Sequence, residues 1–177
     1  QRSWDEAPLF DYVDSDETGD VAGLFVQDEW SFRRRWLLNL GLRLDHYRGL
    51  GGTLNPRVAL IHRPDARSAL KLIYGEAFRA PSAYEAYYRG AATAGAPALG
   101  PETTRSYEVV WERSLGADWR GRASVFLSQV RDLIDFRLVA PPGREGDWLA
   151  DTYVFENRGG AQTRGLELEI ERRLPGG

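Results

Sequence analysis

From Trp36 onward the chain alternates. Trp36, Leu38, Leu40, Leu42 and Leu44 hold the even positions, and Leu37, Asn39, Gly41, Arg43 and Asp45 the odd ones. Successive side chains of a β-strand point to opposite faces, so a period of two builds a ribbon with one apolar and one polar face. The pattern recurs. Leu70, Leu72 and Tyr74 alternate with Lys71, Ile73 and Gly75, and Tyr107, Val109, Trp111 and Leu115 oppose Ser106, Glu108, Glu112 and Ser114. Ala123, Val125 and Leu127 oppose Arg122, Ser124 and Ser128, although Phe126 interrupts the polar side. Leu166, Leu168 and Ile170 oppose Gly165, Glu167, Glu169 and Glu171, and residues 20–30 and 54–63 are weaker members of the set. Seven strands follow from this periodicity.

The connections between them are lopsided. Breaks at 31–35, 64–68, 116–118 and 175–177 read as short turns rich in Arg, Gly, Pro and Asp. Those at 5–20, 48–53, 80–103 and 137–151 read as the long-loop end. Antiparallel strands with short turns at one end and long loops at the other describe an up-and-down sheet, and the same asymmetry marks an outer-membrane β-barrel. The aromatic residues agree. Trp30, Trp36, Trp111 and Trp119 fall near the short-turn ends, and Tyr47, Phe78, Tyr107, Phe136, Tyr153 and Phe155 near the long-loop ends. Two aromatic rows flanking aliphatic stretches suit the two interfaces of a bilayer, where amphipathic rings settle at headgroup level.

A soluble β-sandwich or propeller also alternates, and that reading stays open at this level. Against it stands the second face, which carries Arg43, Lys71, Glu108, Glu112, Arg120, Arg122, Glu167, Glu169 and Glu171. So many charges imply a wet or polar-filled interior. Seven strands cannot close a bacterial barrel, because strand numbers there are even and an open edge in hydrocarbon leaves backbone groups unpaired. The 177 residues begin without Met and end in the turn chemistry of Pro175-Gly176-Gly177, so the chain is expected to be a section of something longer.

Composition excludes other classes. No cysteine means no disulfide scaffold and no zinc–thiolate site. A net charge of −3 gives no nucleic-acid footprint. The absence of any long apolar run leaves no candidate transmembrane helix.

Several local strings, taken together and in order, resemble the barrel of TonB-dependent outer-membrane receptors over nearly the whole chain. They include Leu24-Phe25-Val26-Gln27-Asp28-Glu29-Trp30, Asn55-Pro56-Arg57-Val58-Ala59-Leu60 and Tyr74-Gly75-Glu76-Ala77-Phe78-Arg79-Ala80-Pro81-Ser82. Others are Pro101-Glu102-Thr103-Thr104-Arg105-Ser106-Tyr107-Glu108 and Thr163-Arg164-Gly165-Leu166-Glu167-Leu168-Glu169. The resemblance implies a barrel of about 22 strands plugged by an N-terminal domain. It further implies capture of a scarce ligand (a ferric siderophore, haem or cobalamin) and import energised through the TonB protein. On that reading the partners are the lipid bilayer, the receptor's own plug, TonB and the ligand, with no nucleic acid. A passive porin-like channel or an adhesin barrel is the alternative.

No catalytic set is present, and no cofactor motif. Ser and Thr lack a G-x-S-x-G elbow, and no phosphate-cradling glycine run occurs. Residues 14–20 begin like a calcium loop, with Asp14, Asp16, Thr18 and Gly19, but Phe25 stands where the bidentate Glu is required. A solvated acidic loop is therefore expected there, with a looser divalent-ion contact as the alternative. His46 and His62 lie near opposite ends of neighbouring strands and share no role. Arg33-Arg34-Arg35 beside Trp36 reads as an interfacial turn. The outer loops supply the candidate ligand contacts: Arg79, Tyr84, Tyr87, Tyr88 and Arg89, then Arg144 and Trp148. Large amphipathic rings beside guanidinium groups suit a bulky anionic ligand, and the same tyrosines could instead extend an upper aromatic girdle. Arg43, Lys71, Glu108, Glu112, Arg122, Glu167 and Glu169 are the candidates for the lumen face.

Overall fold

The computed structural model describes residues 20–87, 93–94, 99–139 and 152–174. Its main body is one antiparallel sheet of seven long strands, in the order β1-β2-β3-β4-β6-β7-β10. They are β1 (Val21–Arg33), β2 (Trp36–Tyr47), β3 (Gly51–Asp65), β4 (Ser68–Arg79), β6 (Glu102–Ser114), β7 (Trp119–Arg131) and β10 (Gly160–Arg172). Neighbours in space are neighbours in the chain, apart from insertions after β4 and β7. Those insertions carry a short helix, α1 (Ala83–Tyr87), and a second sheet of order β5-β9-β8. Its strands are β5 (Thr93–Ala94), β8 (Ile134–Val139) and β9 (Thr152–Asn157).

The register joins the alternating rows into continuous belts. Leu24, Leu44 and Leu54 lie side by side, as do Leu40 and Val58. Leu60, Leu72, Val109, Val125 and Leu166 form one unbroken line across five strands. Much of this face stays exposed: Leu24 keeps 71% of its surface and Leu168 74%. Only Leu99, Val110 and Ile134 are buried apolar residues among the described ones. A sandwich would stack a second sheet about ten ångström away over such a face. Here the large sheet is a single layer, so its apolar face is made to meet something other than water. Asp28, opposite Leu40, is the one carboxylate set among those rows on β1.

Both aromatic ends are partly redistributed. Trp36 stacks on His62 at 4.1 Å and Trp30, Phe32 and Trp36 form a chain of ring contacts, so the short-turn end is a dense aromatic edge. At the other end Tyr74 and Tyr107 meet across β4 and β6. Phe136, Tyr153 and Phe155 do not belong to that row. They sit in the β8–β9 hairpin, outside the large sheet, where Phe136 contacts both Tyr153 and Phe155 edge-on. The seven strands read from alternation are those of the large sheet, and they include neither β8 nor β9.

Two further expectations need correction. Residues 48–53 are not a long loop: β2 ends at Tyr47 and β3 begins at Gly51. Gly49 and Gly51 adopt positive φ (86° each), which lets the chain reverse tightly there. The loop placed at 137–151 starts earlier, because β7 ends at Arg131 and Asp132 turns the chain with φ 54° into β8. Pro56 lies inside β3 opposite Leu42. Pairing of β3 with β4 begins only at Arg57, so the proline stands on a stretch with one free edge, where its missing N–H is tolerated.

Candidate functional site

The long-loop end holds a hydrogen-bonded brace built around Arg79, the last residue of β4. Its guanidinium grips Glu102, the first residue of β6, through Nε at 2.7 Å and a terminal nitrogen at 2.7 Å. The same group grips Glu85 of α1 at 2.9 and 3.0 Å. Planar forks of this kind suit guanidinium–carboxylate pairs, and charge-assisted bonds are the stronger ones. Glu102 also accepts the backbone N–H of Ile134, so one carboxylate, 8% exposed, ties β4, β6 and the start of β8. Glu85 closes a capping box: it accepts from the Ser82 N–H at 2.7 Å, and the Ser82 hydroxyl accepts from the Glu85 N–H at 3.3 Å. The Arg79 guanidinium and the Ser82 bonds hold the Glu85 carboxyl far below its usual range, at about 2.

Asn157, the last residue of β9, completes the brace. Its amide donates to the carbonyls of Gly100 and Asp132 and accepts from the Gly100 N–H at 2.7 Å. Both outer insertions are thus fastened at their bases. Above them Tyr84 meets Phe155 edge-on at 5.8 Å, which joins α1 to the aromatic surface of the β8–β9 hairpin. Phe136 and Tyr153 remain largely exposed beside it.

This arrangement redistributes the sequence-derived ligand candidates. The Arg79 guanidinium is held on two carboxylates, which makes it a positioning group for the loops. Tyr84 stays exposed on α1, and the backbone of Tyr87 ends that helix. Tyr88, Arg89, Arg144, Trp148 and the acidic segment 14–19 lie outside the described residues. Sequence reasoning missed Glu85, Glu102 and Asn157, and assigned Phe136, Tyr153 and Phe155 to a girdle. One local signal was available: Ser82-Ala83-Tyr84-Glu85 has the spacing of a capping box, which marks a helix start. Among the described residues no group of three or more His, Asp or Glu could hold a metal ion.

The opposite face of the large sheet gathers the charged candidates. Lys71 pairs with Glu112 across β4 and β6 at 2.7 Å. Arg122 lies between Glu108 at 3.5 Å and Glu169 at 4.0 Å, and the Ser124 hydroxyl donates to Glu167 at 3.4 Å. Arg43 chelates Asp45 on the same strand, with Nε 2.8 Å from one carboxylate oxygen. Phe126, the apolar intruder, covers Gly165: a Cβ there would sit 2.6 Å from its ring. The missing side chain makes room for the ring on an otherwise polar face.

A seven-stranded antiparallel layer, exposed leucine rows on one side, ion pairs on the other and braced insertions at one end are the elements of a barrel wall. The family model described as TonB dependent receptor-like, beta-barrel, matches residues 2–175. The chain belongs to that family. It is 28% identical over 156 residues to an iron-regulated outer membrane virulence protein of Vibrio cholerae, covering 82% of this chain and 24% of that one. It is 25% identical over 166 residues to the heme/hemopexin utilization protein C of Haemophilus influenzae, covering 79% and 23%. Among solved structures it superposes on a ferric enterobactin receptor mutant from Pseudomonas aeruginosa with a TM-score of 0.75. Identity there is 24%, and the match covers 86% of this chain and 24% of the receptor. A hemophore receptor of Serratia marcescens matches with a TM-score of 0.69 at 20% identity, covering 86% of this chain and 31% of that one. These two structures establish the shared fold. The chain spans about a quarter of the length of the curated relatives it matches.

Proposed function

We propose that this chain is part of the barrel wall of an energised outer-membrane receptor that imports a ferric siderophore or haem. The carrying observation is the two-faced sheet within a family match over residues 2–175. Its leucine belts face lipid, and its ion-paired face lines the lumen against a plug domain. Arg43, Lys71, Glu108, Glu112, Arg122, Glu167 and Glu169 are then lumen residues. The names of the relatives, an iron-regulated outer membrane protein and a heme utilization protein, support the ligand class.

In this reading the braced insertions point outward and form part of the ligand mouth. Tyr84, Phe136 and Tyr153 supply exposed rings beside the half-buried Phe155, and the segments holding Tyr87, Tyr88, Arg89, Arg144 and Trp148 border them in sequence. Flat or catecholate-like anionic ligands stack on such rings and pair with guanidinium groups. Capture is followed by plug rearrangement driven through TonB from the short-turn side. The ligand crosses without covalent change, so no residue acts as a catalyst.

The test is growth of an iron-starved receptor-null strain carrying the whole gene. Rescue by a ferric siderophore or by haem, lost when TonB is deleted, is the expected result. Uptake of small solutes that ignores TonB would replace this reading with a passive pore.

A further inference from the structure

The arginines at the two ends of the sheet are treated differently. At the long-loop end several have an acid: Arg48 meets Asp20 at 2.6 Å, Arg79 holds Glu85 and Glu102, and Arg137 and Arg158 share Glu156. At the short-turn end Arg33, Arg34, Arg35 and Arg63 border one hollow at the sheet's rim, with Ser31, Trp36 of the apolar row and Leu37 of the opposite row. All four arginines are exposed. None has a carboxylate within ion-pair distance among the described residues. Arg35 spends one donor on the carbonyl of Pro64. The nearest acid in the next turn, Asp65, accepts the backbone N–H of Arg67 at 2.7 Å.

Several like charges crowded without a counter-ion repel one another, weakly in water and more strongly at a low-dielectric surface, and an anion supplied from outside relieves that repulsion. The position says which. The arginines adjoin Trp30, Phe32 and Trp36, whose rings contact in sequence at 5.4 and 6.3 Å, and Trp36 stacks on His62. Further along the same end, the Arg172 guanidinium lies 5.4 Å from the Trp119 ring centre. Aromatic edges of this kind settle at headgroup depth, and arginine stems lie along apolar surface while their forks reach phosphate. We infer that Arg33, Arg34 and Arg63 form a site for the phosphate of an anionic phospholipid in the bilayer leaflet at the short-turn end. The inference rests on the membrane reading above.

The experiment reconstitutes the full-length receptor in nanodiscs of phosphatidylcholine with a minor share of phosphatidylglycerol. Lipid retained after mild extraction is counted by native mass spectrometry. The wild type is expected to enrich phosphatidylglycerol over its bulk share by about fivefold or more, from the roughly one-arginine electrostatic advantage at a charged surface. The enrichment should fall in about 0.5 M salt and persist in millimolar inorganic phosphate, which would compete if free phosphate were the ligand. The triple variant Arg33→Gln, Arg34→Gln, Arg63→Gln should lose it, and the triple lysine variant at the same positions should keep it. No enrichment in the wild type, or equal enrichment in the glutamine variant, overturns the site. Loss in the lysine variant as well overturns it too, since charge would not be what is read. A receptor that enters no bilayer at all overturns the membrane reading itself.

Discussion

The two faces of one sheet solve opposite problems with the same backbone. On one face Leu24, Leu40, Leu72, Val109, Val125 and Leu168 are exposed, and no polar neighbour is needed because each row continues on the next strand. On the other face several charges have an opponent: Lys71 with Glu112, Arg122 with Glu108 and Glu169, Arg43 with Asp45. The difference teaches that exposure alone does not say what a surface meets. Apolar rows without partners ask for hydrocarbon, and ion pairs half open to water ask for a polar, partly hydrated cavity.

The strongest way to break the comparison is to put a charge on the wrong face. In the intact barrel Leu168→Arg or Leu40→Arg should destabilise by about 2–4 kcal/mol, measured by denaturant titration in lipid. Glu167→Arg, one residue away on the other face, should be clearly milder. Equal losses would mean that the faces were assigned the wrong way or that neither meets lipid.

Gly165→Ala sharpens the polar face. Its new methyl would push on the Phe126 ring, and a loss of about 1–3 kcal/mol is expected from overpacking. Adding Phe126→Leu should recover part of that loss, and no recovery would show that the glycine is needed for its backbone instead.

Arg79→Ala tests the brace. It leaves the nearly buried Glu102 carboxylate without its cation and should loosen both outer insertions. The expected loss is about 1–2 kcal/mol, reduced from a fully buried pair because Arg79 is half-exposed. That loss is in the local opening of the two insertions, so faster proteolysis of those loops with an unchanged barrel melting point would be the readout. Acid should do the same reversibly. Glu85 has its folded pKa depressed to about 2 from an ordinary 4.5, so its contribution is full above about pH 4.5 and disappears as pH falls through about 2. A carboxyl titration of Glu85 centred near 4.5 would contradict the brace.

The smallest effect belongs to Lys71 and Glu112. Both are about one-third exposed, and a double-mutant cycle should return a coupling below about 1 kcal/mol. A much larger value would mean that this face is drier than a hydrated lumen.

Much of this was legible in the residues. The strict alternation of Trp36 to Asp45 and of Gly165 to Glu171 named strands, and it named which residues share a face. The glycines at 49 and 51 are equally visible, yet the tightness of the 48–53 turn depends on φ, which residue names only permit. The candidate mouth was much less legible. Phe136, Tyr153 and Phe155 look like girdle residues by position, and Arg79 looks like a free guanidinium.

The seven strands of the large sheet, their apolar and charged sides and the family were written in the residues alone, because a period of two and short local strings are properties of neighbouring residues. Only the tertiary structure decided that Arg79 belongs to Glu102, 23 residues away, and that β8 and β9 leave the large sheet. It also decided that acids meet Arg48, Arg79, Arg137 and Arg158 at one end while the arginines of the Arg33–Arg35 turn have none among the described residues. Those outcomes depend on which distant segments pair and in what register, and alternation within a strand is the same for every register that keeps its faces.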